Sequence, residues 1–357
     1  MENPLTNDLN NILYSIQNLC EELRGKKIFI TGGTGFFGKW LLESFIWINE
    51  HLNLNAQAHV LSRTPNTFME NYPYIANAES IIFYHGNIRN FSFPDERFDY
   101  IFHAATQASK KLNDDNPLLM LDTIAEGTRR ILDFAISCGA KRFLLTSSGA
   151  VYGKQPENLS HIPEDYIGAP DISRPSSAYD EGKRIAELLC NIYQKQYGLE
   201  TVIARCFTFI GPYLPLDINY AIGNFIRDGL AGGPIRVNSD GSPYRSYLYA
   251  SDLAIWLWTI LFSGIPGEAY NVGSEDVISI KALAYKVAGC FQNNPEVIIA
   301  RAQTPSQSIE RYVPSIKKAK ECLGLSLLTG IDEALEKTIK WYQKTSLSAL
   351  RTNCNTM

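Results

Sequence analysis

The sequence predicts an α/β fold, a doubly wound parallel sheet followed by a smaller C-terminal lobe placed to close over a ligand. Up to Pro212, short apolar strands alternate with amphipathic helices, and a glycine-rich turn joins the first strand to its helix. Beyond Pro212 that rhythm breaks, and 357 residues are more than the roughly 250 to 300 that one hydrophobic core serves.

Ahead of the first strand, Leu9, Ile12, Leu13, Ile16, Leu19 and Leu23 recur at helical intervals, which predicts an amphipathic helix over Leu9–Leu23, packed on the outside. Lys27–Thr31 reads as the first strand and Lys39–Trp47 as the helix after the turn. The alternation returns in strands at His59–Ser62, Ile81–Tyr84, Tyr100–Ala104, Arg142–Ser147 and Thr201–Ala204, with a helix over Thr123–Cys138. The second lobe is expected to carry Pro- and Gly-rich pieces at Pro212–Pro215 and Gly229–Ser242 and short helices over Tyr220–Asp228, Asp252–Phe262 and Ser279–Cys290. The expected organisation is a helical extension over 1–25, the sheet domain over 26–212, the lobe over 213–344 with a strand at Tyr270–Val272 that returns to the main sheet, and a frayed tail over 345–357.

Composition narrows the partners. With 33 Lys plus Arg against 37 Asp plus Glu, the net charge of -4 supplies no global field to hold a nucleic acid backbone. Cysteines at 20, 138, 190, 206, 290, 322 and 354 include no pair at the two-residue spacing of zinc or redox motifs, so reduced, mostly buried thiols and no metal are expected. Met1–Asn11 lacks the basic start and apolar run of a secretion signal, and Leu253–Phe262 is too short an apolar run for the ~20 residues that cross a bilayer. A cytoplasmic protein without membrane partners is expected.

The run Thr31-Gly32-Gly33-Thr34-Gly35-Phe36-Phe37-Gly38 follows a strand and opens a helix. A pyrophosphate needs bare backbone N–H groups at close range and the positive end of a helix. Gly32, Gly35 and Gly38 offer the first without side-chain obstruction. Residues 26–212 are therefore read as a Rossmann-type NAD(P)-binding domain, with Thr34, Phe36 and Phe37 completing the loop. The second strand ends at Ser62-Arg63, where a hydroxyl and a guanidinium suit a 2′-phosphate better than a bare diol. NADP(H) is the expected cofactor and NAD(H) the alternative, the latter leaving Arg63 as a solvated loop residue. After the third strand, the Asn87 amide can bond the adenine edge, with Ile88 beside it.

Tyr179-Asp180-Glu181-Gly182-Lys183 sets a phenol and an ammonium four residues apart on one helix face. A tyrosine titrates near ~10, but a neighbouring lysine and a positive nicotinamide ring favour phenolate, which equips Tyr179 to exchange a proton with a sugar hydroxyl or carbonyl. Ser148 can hold the same oxygen. Spacing of this kind also arises by chance in helices; context decides it.

With the glycine loop, these residues resemble the extended short-chain dehydrogenase/reductase family, specifically its nucleotide-sugar epimerase, dehydratase and reductase group, over roughly Lys26–Trp341. The resemblance is carried further by His103-Ala104-Ala105-Thr106, by Ser147-Ser148-Gly149-Ala150-Val151-Tyr152-Gly153, by Arg205-Cys206-Phe207-Thr208-Phe209-Ile210-Gly211-Pro212, and by Arg245-Ser246-Tyr247-Leu248-Tyr249-Ala250-Ser251-Asp252. It implies that Ser148, Tyr179 and Lys183 are catalytic, that Ala104, Ala105 and Thr106 lie against the cofactor, and that Arg245 grips the phosphates of a nucleotide-diphosphate sugar. Gly149 and Thr208 would lie beside that substrate. Arg301 and Arg311 both stand where the family often has a second phosphate-binding arginine; Arg311 is carried as the candidate. The family often dimerises through a helix pair like Leu118–Cys138 and Ile185–Tyr197, so a homodimer is expected.

Several departures narrow the reaction. The family's dehydratases and sugar-acid decarboxylases carry acidic groups after the catalytic Ser or Thr, where this chain has Gly149 and Ala150. Neither transfers a proton, which disfavours 4,6-dehydration unless Asp180 or Glu181 reaches in. Ile124, Thr208 and Ser246 also replace a frequent Asn, Asn and Asp. The expectation is NADPH-dependent reduction of a 4-keto deoxysugar nucleotide; a 4-epimerase with tightly held cofactor is the alternative, with a nucleotide-sugar 4,6-dehydratase as a further one and a cofactor-binding regulator without turnover the alternative from another class.

Overall fold

The computed structural model describes residues 3–106, 110–217, 220–301 and 309–354, with side chains described to Thr345. Seven parallel strands form the central sheet. Along the chain they are β1 (Lys27–Thr31), β2 (Gln57–Ser62), β3 (Ile81–His85), β4 (Tyr100–His103), β5 (Arg142–Ser148) and β6 (Glu200–Cys206), with β11 (Ala269–Val272) returning late. Their spatial order is β11-β6-β5-β4-β1-β2-β3. The order reverses beside β1, so the crevice above the carboxyl ends of β1 and β4 is the switch point where such sheets take ligands. Tyr270–Val272, expected to return, pairs with Ala204–Cys206 of β6.

Helices cover both faces. On one lie α2 (Phe36–His51) and α9 (Ala250–Ser263), with α1 (Thr6–Cys20) outside them. Outside β2 and β3 are α3 (Pro65–Asn71) and α4 (Pro73–Ala76), and the other face holds α5 (Lys110–Asp115), α6 (Pro117–Ser137) and α7 (Ala178–Tyr197). The helix expected over Leu9–Leu23 is thus α1 continued by a 3-10 turn over Glu21–Leu23. Its Asp8 accepts from the Tyr249 hydroxyl at 2.7 Å and from Lys337 at 2.9 Å.

The second lobe is assembled from short pieces. These are β7 (Phe209–Ile210), α8 (Ala221–Leu230), β8 (Ile235–Val237), β9 (Tyr244–Arg245), β10 (Leu248–Tyr249), β12 (Ile278–Ser279), α10 (Ile280–Gly289), β13 (Val297–Ile299), β14 (Arg311–Tyr312), α11 (Lys317–Leu323) and α12 (Ile331–Cys354). They surround a core of Ile222, Phe225, Ile226, Leu283 and Leu335. One expectation is corrected here: Asp252–Phe262, assigned to the lobe, belongs to α9, which packs on β5, β6 and β11. Every residue from Ala250 to Leu261 is buried, as befits a helix apolar all round. The helix at the C-terminus also continues to Cys354, past the start of the expected tail.

Candidate active site

A cavity of about 970 Å³ opens between the carboxyl ends of β1, β4, β5 and β6 and the inner side of the second lobe. Its cofactor side is the glycine turn. Gly32 has φ +75°, and a Cβ there would stand 2.5 Å from the Ala104 carbonyl carbon; at Gly38 it would meet Gly33 Cα at 2.3 Å. Both glycines are demanded by the protein's own backbone. Gly35 differs, because a Cβ there would touch only the Gly32 oxygen, at 3.4 Å, yet Gly35 lines the cavity. Its bareness serves whatever the cavity holds. Gly35 is also the N-cap of α2 and offers no side-chain cap, so first-turn N–H groups are left for an anion. These residues fit the pyrophosphate of a nicotinamide dinucleotide.

A buried histidine fixes this turn. His103 Nδ1 lies 2.7 Å from Thr31 Oγ1 and Nε2 lies 3.1 Å from Thr128 Oγ1, while Ala105 N–H donates to Thr31 Oγ1 at 3.2 Å. Burial pulls the ring down to about 3, so it is a neutral strut between β1 and β4.

The chemical side rests on β5 and α7. Ser148 ends β5, and its Oγ accepts from Ala150 N–H at 3.2 Å. The start of α7 has no cap from Ser177; Asn113 supplies one, its Oδ1 accepting from Tyr179 N–H at 3.1 Å. One turn on, the Lys183 ammonium donates to Thr106 Oγ1 at 2.9 Å and to the Thr146 carbonyl at 2.7 Å, and stands 5.9 Å from the centre of the Tyr179 ring. Burial lowers Lys183 to about 8. It pushes the Tyr179 phenol well above its usual range, against which the Ser148 hydrogen bond works. Burial thus favours the protonated phenol, against the pull toward phenolate that a bound nicotinamide ring would exert.

The cavity wall brings together Gly32, Gly35, Phe36, Phe37, Ala104 and Thr106 with Ser148, Tyr179 and Lys183, and sets Thr208 and Arg245 across from them. Arg245 Nη2 lies 2.5 Å from Glu310 Oε1. Thr208 Oγ1 donates to the Ser246 carbonyl. Other expected residues lie outside the wall. Thr34 is in the turn itself, and Ala105 faces Thr31. Ser62, at the end of β2, accepts from Thr64 N–H at 3.2 Å, and Arg63 next to it is exposed. Asn87 Oδ1 accepts from Arg89 N–H at 3.1 Å, and Ile88 is in the core against Gly127. Gly149 is covered by Phe207, whose Cζ would be 2.6 Å from a Cβ there. Arg311 stacks on Tyr244 at 4.5 Å instead of facing the cavity, and Arg301 is exposed. Neither Asp180 nor Glu181 reaches in: burial and Glu181 raise Asp180 to about 6, and Glu181 pairs with Arg184 at 3.4 Å. Among the described residues the wall holds no Asp and no Glu.

Three features lay beyond sequence reasoning. Tyr312 brings its hydroxyl to 3.5 Å from Ser148 Oγ. Arg236, Asn238 and Tyr220 join the wall from the second lobe. Behind Ser148 and Lys183, Arg205 grips Glu187 with Nη2 at 2.8 Å and Nε at 3.1 and 3.2 Å, while Ser147 Oγ donates to the same carboxylate at 2.5 Å. The one available signal was the spacing of Lys183 and Glu187, one turn apart on α7.

A glycine-turn dinucleotide cradle joined to a Ser, Tyr and Lys cluster at the switch point of a parallel sheet defines a nicotinamide-dependent enzyme of the extended short-chain dehydrogenase/reductase type. Comparison with known proteins agrees: the model of the NAD dependent epimerase/dehydratase family matches residues 28–273, and the chain belongs to that family. UDP-glucuronic acid decarboxylase 1 of Xenopus tropicalis is 31% identical over 323 residues, covering 89% of this chain and 72% of that protein. Among solved structures, the dTDP-glucose 4,6-dehydratase of Streptomyces venezuelae, determined with NAD bound, superposes with a TM-score of 0.75 at 23% identity over 89% of this chain and 97% of its own. The UDP-glucose 4-epimerase of Thermotoga maritima, determined with UDP-glucose, gives 0.76 at 23% identity over 89% and 99%. No helix among the described residues is long and apolar enough to cross a membrane.

Proposed function

We propose that this enzyme acts at C4 of a nucleotide-linked sugar, reducing a 4-keto group with NADPH. The observation that carries the reading is the cavity wall: Tyr179, Ser148 and Lys183 converge there, and among the described residues no carboxylate joins them. Elimination of water from a sugar needs an acid and a base beside the reacting carbons. Hydride exchange at one carbon needs only a proton donor, which Tyr179 is, with Ser148 holding the same oxygen and Lys183 holding its charge close by. The bound cofactor supplies the hydride. Arg245, across the cavity, suits the diphosphate of the substrate. Ser62 and Arg63 at the end of β2 support NADP(H), the form that serves reduction. Exposed Ile185 and Leu188 on α7 support a homodimer through the α6 and α7 face.

A second reading is supported by the named relatives: decarboxylation of UDP-glucuronic acid. Arg236 and Arg245 give it cations for an acidic sugar, while Gly149 and Ala150, where the family's decarboxylases carry acidic groups, count against it. One experiment separates the two. Purified enzyme is given NADPH with a 4-keto-6-deoxy nucleotide sugar, and in parallel NAD with UDP-glucuronic acid. Loss of the reduced-nicotinamide absorbance in the first supports reduction; CO2 release in the second, with no net cofactor change, replaces it with decarboxylation.

A further inference from the structure

Tyr179 stands in the first turn of α7, where backbone N–H groups have no partner within the helix. The residue in position to cap them, Ser177, is engaged elsewhere: its Oγ donates to the Asp171 carbonyl at 2.7 Å. The cap comes from α5 instead. Asn113 Oδ1 accepts from Tyr179 N–H at 3.1 Å, and Asn113 Nδ2 donates to the Ser176 carbonyl at 2.6 Å. One amide thus spans the junction between the 3-10 turn Pro175–Ser177 and the helix that follows it.

The chain between β4 and α6 that carries this amide is tied to α7 at other points as well. It leaves β4 through Thr106, whose Oγ1 accepts from Lys183 at 2.9 Å. It ends at Asn116, whose Oδ1 accepts from Leu119 N–H at 3.1 Å and so caps α6. Next, α6 is fitted to α7 beside the Tyr179 and Lys183 pair, because a Cβ at Gly182 would stand 3.1 Å from Ile124. Lys183 keeps its place by two bonds of its own, to Thr106 and to the Thr146 carbonyl. The start of the turn that carries Tyr179 rests on Asn113.

We propose that Asn113 is a positioning residue that sets where Tyr179 delivers its proton, a role that rests on Tyr179 being the proton donor in the function proposed above. Asn113 is outside the cavity wall, so it acts through Tyr179 and not on substrate or cofactor. Loss of its amide frees the first turn of α7 to fray, while Lys183, one turn further in, stays bonded. The phenol then strays from the sugar oxygen, and a misplacement of about 1 Å can cost about 100-fold in rate. The glycine turn and Arg245 stand on other elements, so the loss falls on kcat and leaves binding in place.

Asn113→Ala removes both bonds. With whichever of the two substrate and cofactor pairs named above the wild type turns over, it is expected to lower kcat by about 30-fold with KM values within about twofold. The solvent isotope effect should grow as proton transfer becomes the slow step. Asn113→Asp keeps an acceptor at the helix start and should recover kcat to within about fivefold of the wild type. An unchanged kcat, a rise in KM as large as the fall in kcat, an unmoved isotope effect, or no recovery in Asn113→Asp each overturn the proposal. A readout free of turnover accompanies this. In enzyme with ¹³C-labelled tyrosine rings and bound NADP, the Tyr179 phenol-carbon resonance, identified by its loss in Tyr179→Phe, shifts or broadens in Asn113→Ala and returns in Asn113→Asp. An unmoved resonance also overturns the positioning role. If the wild type turns over neither the 4-keto sugar nucleotide nor UDP-glucuronic acid, the reaction reading falls, and the resonance alone decides whether Asn113 places Tyr179.

Discussion

The two sides of the cavity are built to different standards. Ser148 and Lys183 stand on a seven-residue strand and a twenty-residue helix, and both are buried and multiply bonded. Behind them Arg205, Glu187 and Ser147 close a buried polar network, so the chemical groups have one arrangement available. Arg245 stands opposite on a two-residue strand, and its partner Glu310 is 57% exposed. The side proposed to move protons is over-determined; the side proposed to meet the nucleotide is held by contacts that an incoming anion can replace. This division lets one chemical platform serve different sugar nucleotides as the opposite wall varies.

The contrast can be broken by substitution. The largest effect is expected at Tyr179: Tyr179→Phe should lower kcat by about 1000-fold while a fluorescence titration finds cofactor affinity near that of the wild type. A loss under tenfold would remove the chemical side from the chemistry. Next, Glu187→Gln leaves the Arg205 guanidinium buried without its counter-charge and should cost roughly 3 to 5 kcal/mol in urea unfolding. A cost as small as that of an exposed pair would erase the difference between the two sides. The smallest effect is expected across the cavity. Glu310→Gln frees Arg245 from an exposed pair and should tighten binding of UDP or dTDP by roughly threefold in calorimetry, with unchanged stability. Weaker binding would mean that Glu310 orients Arg245 instead of competing for it.

What the sequence revealed follows the range of the contacts involved. The glycine turn and the Tyr179 and Lys183 pair are local patterns, one a strand-turn-helix and the other one helical turn, and the fold places both at the switch point. Alternation of apolar strands with helices sufficed for the doubly wound sheet. The α9 helix was misplaced because its sequence neighbours belong to the second lobe; its unbroken apolar surface was the better guide, since such a helix must be covered on all sides. Tyr312 and Ser148 are 164 residues apart, and no spacing rule connects them. Arg311 illustrates the converse: its place in the chain suits phosphate binding, but its guanidinium lies on Tyr244.

The outermost helix bears on how the chain can be handled. Through Asp8, α1 holds both Tyr249, at the entry to α9, and Lys337 on α12, so one carboxylate near the start of the polypeptide fastens two segments encoded hundreds of residues later. An enzyme trimmed to begin at Lys26 would lose that clasp and bare the apolar flank of α9 to water, inviting aggregation before any loss of chemistry.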